Sequence, residues 1–411
     1  MQNYFLPLVF LLAPFIKIPG DYYLVPWSYF FVGFISVFIY LLIILNKGYH
    51  IVKFDLFDAI AFLFVICTLV SLFDARNPLK GVLFLAASTL YFLIFYILKN
   101  VLGNLKEIET FIFSATILSC FVYLFIIVSA VTLRNRNLLD ELLMQYFDLN
   151  VININHFFKF FFCMAMASYF HPQGRQGKLN MVFIILFSCG TIALASRSAL
   201  LIWVLIVSIF LFTSKKISKL KKMIIISVVP LVVFIFIILM KDSYIFERFS
   251  ASAESISGGV ALEDNSFSRL YTMLIAITIF ITNPINGVGV GNYGYHTAEA
   301  LNTISFLVPK GIQEYYQSRD IFYTTSGLLK IAVETGTLGV FIYLLFYYKL
   351  FKKLYFYIKN SPDVTSQYIY GNLVALIAMF CDDLFFGIGF LDYYYWLFFA
   401  LMIATMKFSK I

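Results

Sequence analysis

The sequence predicts an all-α integral membrane protein. Hydrophobic residues make up 62% of the chain, charged residues only 13%, and the mean hydropathy is +0.89. A water-soluble fold would lack the polar surface to cover that much apolar material. Apolar stretches close to the length of a membrane-spanning helix recur along the chain, and the alternating pattern of a β-barrel does not. The expected architecture is therefore a bundle of membrane-spanning helices in a single polytopic domain, residues 1–411.

About twelve apolar stretches are candidate spans. They lie near residues 4–17, 22–45, 56–73, 79–98, 108–132, 157–171, 181–196, 198–213, 223–240, 327–348, 367–387 and 390–407. The run from Leu6 to Ile16 is taken as a first span because it has neither a basic region before it nor a signal-peptidase-like site after it.

Lysine and arginine are distributed differently among the loops. Lysines gather in alternate loops, for example over 215–222 and 349–359, which places those loops and both termini in the cytoplasm. Seven of the eight arginines fall in the opposite loops: Arg76, Arg134, Arg136, Arg197, Arg248, Arg269 and Arg319. Because a guanidinium group binds phosphate in a bidentate manner, these arginines indicate an anionic, phosphate-bearing substrate on the outer face.

Two outer segments are unlike ordinary connections. Residues 134–156 include a stretch with an apolar and a polar helical face, which predicts a short amphipathic helix that is either a lid or a plain connector. The second segment, residues 241–326, opens with a polar stretch rich in Ser and Gly. An apolar run from Leu270 to Thr282 follows and ends at Asn283-Pro284, which predicts a helix on the outer face of the bundle. Long outer loops of this kind are usually functional.

Three short motifs carry candidate chemistry. Arg197 lies in a tight turn between two apolar runs, where it either binds a ligand or extends to the lipid interface. The segment from Asn283 to Tyr293 contains Gly287, Gly289 and Gly291, which either let backbone amides approach a ligand or form an ordinary turn. Glu334 begins the string Glu-Thr-Gly-Thr-Leu-Gly near the outer boundary, where a salt bridge with an arginine and a chemical role are both open.

These strings, in this order, resemble the O-antigen polymerase and O-antigen ligase family of bacterial membrane glycosyltransferases. The resemblance covers roughly residues 181–348 in motif and implies a GT-C-like helical fold. It implies a polysaccharide-forming enzyme of the bacterial inner membrane, active on its periplasmic side. The donor would be an undecaprenyl-pyrophosphate-linked oligosaccharide, with no metal and no cofactor. Membrane lipid, a chain-length regulator and a flippase are the partners that it implies.

The same resemblance implies roles for individual residues. Arg197 and Arg269 match positions that contact the pyrophosphate leaving group, and Gly287, Gly289 and Glu334 match the substrate-binding motifs. We add Arg319 from its charge and position, and Tyr323 because it lies in a group of aromatic residues that could stack on sugar rings. The net charge of +8 is spread over short loops, so nucleic acid is not an expected partner.

One departure from the family bears on the reaction. Ligases usually carry a His-Asn pair nine residues before the glutamate, and here those positions hold Thr325 and Ser326. This favours a polymerase over a ligase and leaves the general base unassigned. His296 is our candidate, with carboxylates elsewhere as alternatives: Glu314, Asp320, Asp382 and Asp383. A flippase or transporter is the alternative of a different class. Sugar identity, linkage, stereochemical course and oligomeric state do not follow from the sequence.

Overall fold

The computed structural model describes residues 54–133, 151–170, 177–193, 197–213, 265–308, 326–360, 365–385 and 393–408, with residues 34, 37, 38, 41, 45 and 313. Within these residues the regular structure is helical and no strand occurs, which confirms the all-α prediction for the described part. The helices are α1 (Leu56–Ser71), α2 (Pro78–Val101), α3 (Leu105–Leu133), α4 (Val151–Phe170), α5 (Gly177–Ala193), α6 (Arg197–Thr213), α7 (Asn265–Thr282), α8 (Thr297–Thr303), α9 (Gly327–Asn360), α10 (Thr365–Phe385) and α11 (Tyr393–Lys407).

Five helical stretches of the described residues are long and apolar enough to cross a membrane: Leu56–Asp74, Pro78–Val101, Leu105–Ala130, Gly327–Asn360 and Gln367–Phe385. Five further apolar helices are shorter, among them the one that ends at Thr282 as predicted. The predicted spans near 4–17 and 223–240, most of the span near 22–45, and most of the segments 134–156 and 241–265 lie outside the described residues. The number of twelve spans and the cytoplasmic termini stay predictions.

Large apolar side chains cover the outside of the bundle as well as its centre. Phe121, Leu201 and Phe341 are each at least 60% exposed, which is typical of helices that face lipid. In the interior, the ring of Trp396 contacts the ring of Phe95 at a centroid distance of 5.7 Å. The protein is therefore apolar on both sides of its helices, as a membrane bundle requires.

An ionic cluster ties together helix ends on one side of the bundle. Asp55 caps α1 by accepting hydrogen bonds from the backbone amides of Phe57 and Asp58. Lys99 of α2 is fully buried and pairs with Asp58 and, at 3.0 Å, with Asp55. Burial raises the pKa of Asp55, but Lys99 and the backbone amides outweigh it, so this pKa lies below its ordinary value. Lys407 of α11 completes the cluster by donating to the Lys99 carbonyl oxygen at 2.8 Å.

Helix α9 is broken at Gly336, where the backbone has φ 66° and ψ −166°. Ser326, which precedes α9, donates to the carbonyl oxygen of Asp383, and Tyr343 donates to the carboxylate of the same aspartate at 2.6 Å. In an unbroken helix Ser326 and Tyr343 would be about 25 Å apart. Because both contact Asp383, the chain folds back at Gly336 into two arms, Gly327–Thr335 and Thr337–Asn360. We predicted a span from 327 to 348 with close packing at Gly336. Gly336 does pack closely, since a side chain there would overlap the Ile285 carbonyl oxygen, but the break in the helix was not predicted.

Helices α4, α6 and α10 fix the position of Arg197. Connections of a few residues make α4 and α6 parallel, and both run antiparallel to α10, since Lys159 of α4 pairs with Asp382 near the end of α10. At the other end, the ring of Phe210 in α6 contacts the ring of Tyr370 in α10 at 5.4 Å. Arg197 begins α6 about 20 Å from Phe210, and Asp382 is about 18 Å from Tyr370 along its own helix. The backbone of Arg197 therefore lies at about the level of the buried Lys159–Asp382 pair.

Candidate functional site

The Gly-rich segment, residues 283–293, starts where α7 stops. The amide of Asn283 donates to the carbonyl oxygens of Ile279 and Phe280, and Pro284 cannot continue the helix. Gly287 then takes φ 70°, and a Cβ atom built on it would lie 2.5 Å from the carbonyl oxygen of Val333 in α9. Glycine is required here both by the left-handed backbone and by the close approach of α9.

Hydrogen bonds hold this segment against three helix ends. The amide of Val288 donates to the Val333 carbonyl oxygen at 2.8 Å, and the amide of Val290 donates to Ser71 Oγ at the end of α1. Asn292 is bonded in both directions to Asn77, the N-cap of α2, with a distance of 2.7 Å from the Asn77 amide to Asn292 Oδ1. The Gly-rich segment is thus an ordered joint between α1, α2 and α9.

The tip of the α9 hairpin sits on the same joint. Thr337 donates to the carbonyl oxygen of Pro284 with both its amide, at 2.8 Å, and its hydroxyl, at 2.6 Å. A side chain at Gly336 would overlap the carbonyl oxygen of Ile285. The break in α9 and the Gly-rich segment therefore depend on each other.

Glu334 is a buried carboxylate at this tip. It is fully buried, and neither of its oxygens has a hydrogen bond of ordinary donor–acceptor geometry to the part of the chain that the structure describes. The ammonium groups of Lys330 and Lys80 and the backbone amides of Gly291 and Tyr293 are the polar groups that act on it. A salt bridge with an arginine was one of the two roles left open by the sequence, and the cations that act on Glu334 in the described structure are lysines. Glu334 is thus a buried polar side chain beside the Gly-rich segment.

Lys80 is a site residue that the sequence analysis did not identify. It follows the N-cap of α2, is buried, and places its ammonium group 5.1 Å from the centre of the Tyr295 ring. Its signal in the sequence is weak: a lysine in a region where arginine predominates, close to Arg76. Its approach to Tyr295 and Glu334 depends on tertiary contacts.

Arg269 lies one helical turn from the hydrogen bond that joins α7 to the Gly-rich segment. It lies in the first turns of α7, half-buried, and its carbonyl oxygen accepts from the hydroxyl of Thr272 at 2.8 Å. The carbonyl oxygen of Thr272 in turn accepts from the hydroxyl of Tyr293 at 3.3 Å. Since the backbone of Tyr293 acts on Glu334, Arg269 and Glu334 lie on either side of one buried tyrosine.

His296 lies in the same turn as Tyr293, close to Arg76. Arg76 donates to the Tyr295 carbonyl oxygen at 2.8 Å and pairs with Glu299 at 2.5 Å. Burial and the Arg76 charge lower the pKa of His296, and Glu299 opposes them only in part. Among the described residues, its buried Nε2 atom has no hydrogen-bond partner. The lowered pKa favours the neutral imidazole, the form that can accept a proton.

The structure describes only some of the remaining predicted site residues. The backbone of Arg197 begins α6 at the end of the bundle that also holds Asp382, and its side chain lies outside the described atoms. Gly289 packs against the turn after α1, where a Cβ atom would lie 2.8 Å from that of Ala75. Arg319 and Tyr323 lie outside the described residues. The structure thus brings Arg269, His296, Glu334 and the glycines together, and it sets Arg197 on a separate group of helices at the same end.

Among the described residues, no group of three or more His, Cys, Asp or Glu side chains is arranged to hold a metal ion. The expectation of a metal-independent reaction stays a prediction.

Fold and site together define a helical membrane protein with an ordered polar joint at one end of its bundle. A family model described as O-antigen ligase matches residues 182–344, which include α6, α7, the Gly-rich segment and the break in α9. The resemblance to the O-antigen polymerase and ligase family is thereby confirmed over the region that carries its motifs. A search of curated proteins gave no match.

Proposed function

We propose that this protein is a polysaccharide polymerase that uses a lipid-pyrophosphate donor at the periplasmic face of a bacterial inner membrane. In the reaction, the bond between the anomeric carbon of the growing glycan and the undecaprenyl pyrophosphate breaks. A hydroxyl group of the incoming lipid-linked repeat unit forms the new glycosidic bond and gives up its proton to a base. The bond electrons leave with the pyrophosphate, which gains negative charge.

The observation that carries this proposal is the position of Arg269 on α7. Its helix is bonded through Thr272 and Tyr293 to the Gly-rich segment, and Lys80 adds a buried cation to that joint. Cationic donors that are already in place stabilise a departing diphosphate because they need no reorganisation as charge develops. Arg197 and Arg319 are proposed to complete this cationic site, with Tyr323 stacking on a sugar ring.

His296 is the base that we propose for the acceptor hydroxyl group. Its neutral imidazole and its unpartnered Nε2 atom suit that role. The arrangement Thr325–Ser326, where ligases usually carry His-Asn, favours a polymerase over transfer of the glycan to lipid A-core.

Incubation of the purified protein with a lipid-linked repeat unit tests this function. We expect a ladder of longer glycans in the presence of a metal chelator and without nucleotide sugars. A strain that lacks the gene separates the two acceptors: loss of a polymerase leaves single repeat units on the lipid A-core, whereas loss of a ligase leaves none. Movement of the lipid-linked unit across a vesicle membrane without a new glycosidic bond would favour a flippase and contradict the proposal.

A further inference from the structure

Asp383 contacts both arms of the broken helix α9. Its backbone carbonyl oxygen accepts from Ser326 Oγ at 3.3 Å, and Ser326 also caps the first arm by accepting from the amide of Leu329. Its carboxylate accepts from the hydroxyls of Tyr343, at 2.6 Å, and Tyr347, at 3.1 Å, in the second arm. One residue of α10 therefore fixes the angle at which α9 folds back.

The surroundings of Asp383 are unusual for a carboxylate. Asp383 is fully buried within a candidate membrane span, and its neighbour Asp382 is paired with the buried Lys159 of α4. A buried carboxylate stabilises a fold little better than an apolar side chain of the same size, since desolvation offsets most of the attraction. The advantage of a buried carboxylate is that its hydrogen bonds are directional, so that each bonded hydroxyl is held at one position.

The tip of the hairpin is the part that reaches the candidate site. Glu334 and Gly336 lie there, and Val333 and Thr337 hold the Gly-rich segment on either side of the break. A change in the angle between the arms would therefore move Glu334 relative to Tyr293 and the first turns of α7.

We infer that Asp383 is a positioning residue for glycan transfer: by holding Ser326 and Tyr343 it keeps the α9 hairpin, and with it Glu334, in register with the Gly-rich segment. The predicted effect on the rate rests on the proposed function. The predicted effect on the angle between the arms depends only on the structure of the hairpin. Asp383 lies outside the matched family region and in none of the motifs that carry the resemblance.

The kinetic test compares Asp383→Leu, Asp383→Asn and Tyr343→Phe in the polymerisation assay. We expect loss of the hydrogen bonds from Tyr343 and Tyr347 to lower kcat by about 10- to 100-fold in Asp383→Leu, with KM for the lipid-linked unit within about threefold of wild type. Asparagine restores part of kcat because its amide oxygen still accepts from Tyr343. The variant Tyr370→Phe removes a bonded tyrosine hydroxyl at the other end of α10 and leaves kcat unchanged.

A wild-type kcat in Asp383→Leu, or a loss that Asp383→Asn does not reduce, overturns the inference. If Asp383→Leu does not fold, Tyr343→Phe decides: its kcat falls with an unchanged Tm, or the inference fails. Spin labels at positions 329 and 344, one on each arm, give a readout without activity. We expect a narrow distance distribution in the wild type and a broad one in Asp383→Asn or Asp383→Leu, and equal distributions would overturn the inference even if the wild type makes no polymer.

Discussion

The hydroxyl of Tyr293 donates to the carbonyl oxygen of Thr272 at 3.3 Å, and this contact places the Gly-rich segment one helical turn from Arg269. Tyr293 is fully buried, so the bond is protected from water. The site therefore rests on a tertiary contact between two parts of the outer segment, residues 241–326, that are 21 positions apart in the sequence.

Tyr293→Phe should loosen this contact without opening a cavity. We expect the free energy of unfolding to fall by about 1 kcal/mol, because one buried hydrogen bond is lost and the Thr272 carbonyl oxygen loses a donor. The polymerisation rate should fall with it, since Arg269 is less firmly placed. Denaturation in detergent and the ladder assay measure the two effects.

The matched control is Tyr271→Phe, which alters a half-buried tyrosine next to Thr272 on α7. It should leave stability and rate close to wild type. Equal effects of the two substitutions would show that the Tyr293 bond has no special part in the site.

Gly287→Ala should be strongly destabilising. The new methyl group would lie 2.5 Å from the Val333 carbonyl oxygen on a residue with φ 70°, so both the backbone and α9 must shift. We expect a loss of about 2 kcal/mol or more in unfolding free energy. Gly103→Ala is the control, because the nearest atoms to its Cβ are 3.7 Å away and its loop is exposed. If both variants unfold alike, the close approach between the Gly-rich segment and α9 is wrong.

Stability should decrease in mild acid because of His296. Its folded-state pKa is below the ordinary value of 6.5, so the unfolded chain binds the proton more readily. Stability is therefore full above the unfolded pKa and is lost as pH falls through it toward the folded pKa. In a Tm series from about pH 8 to about pH 5, His296→Gln should lose less stability than wild type. Parallel curves would contradict the assigned pKa shift.

Lys99→Met should leave two carboxylates without their buried cation. Removing one partner of a buried ion pair typically costs about 3–5 kcal/mol. Lys99 contacts Asp55 and Asp58, and the pKa of Asp55 is lowered in the folded protein, so part of its stabilisation requires the charged pair. The exposed Lys106, at the start of α3, provides the control Lys106→Met. Thermal unfolding of the two variants measures the difference, and equal Tm values would refute the buried cluster.

The sequence predicted local features of the site better than its tertiary ones. Asn283-Pro284 predicted the end of α7, and the positive φ of Gly287 agrees with the tight turns expected of the glycines. The break at Gly336 was missed because Glu-Thr-Gly-Thr-Leu-Gly was predicted to begin a continuous span. A glycine that packs against a neighbouring helix and a glycine with positive φ look alike in one sequence.

Long-range partners account for the other differences. An arginine was one possible partner of Glu334, whereas Lys80, more than 250 positions earlier in the chain, and Lys330 act on it. Asp383 was one of several open candidates for the base, and its contacts with Ser326 and Tyr343 depend on the fold-back of α9. Such pairings come from helix packing, which hydrophobic periodicity does not specify.

The central claim is that guanidinium groups at one end of the bundle hold the departing diphosphate. Its most direct test is the single-turnover rate of glycosidic bond formation in Arg197→Ala and Arg269→Ala, with Arg248→Ala as the control outside the motifs. We predict that each of the first two lowers the rate about a hundredfold, since one lost contact to the developing charge costs about 3 kcal/mol. Wild-type rates in both Arg197→Ala and Arg269→Ala would contradict the claim.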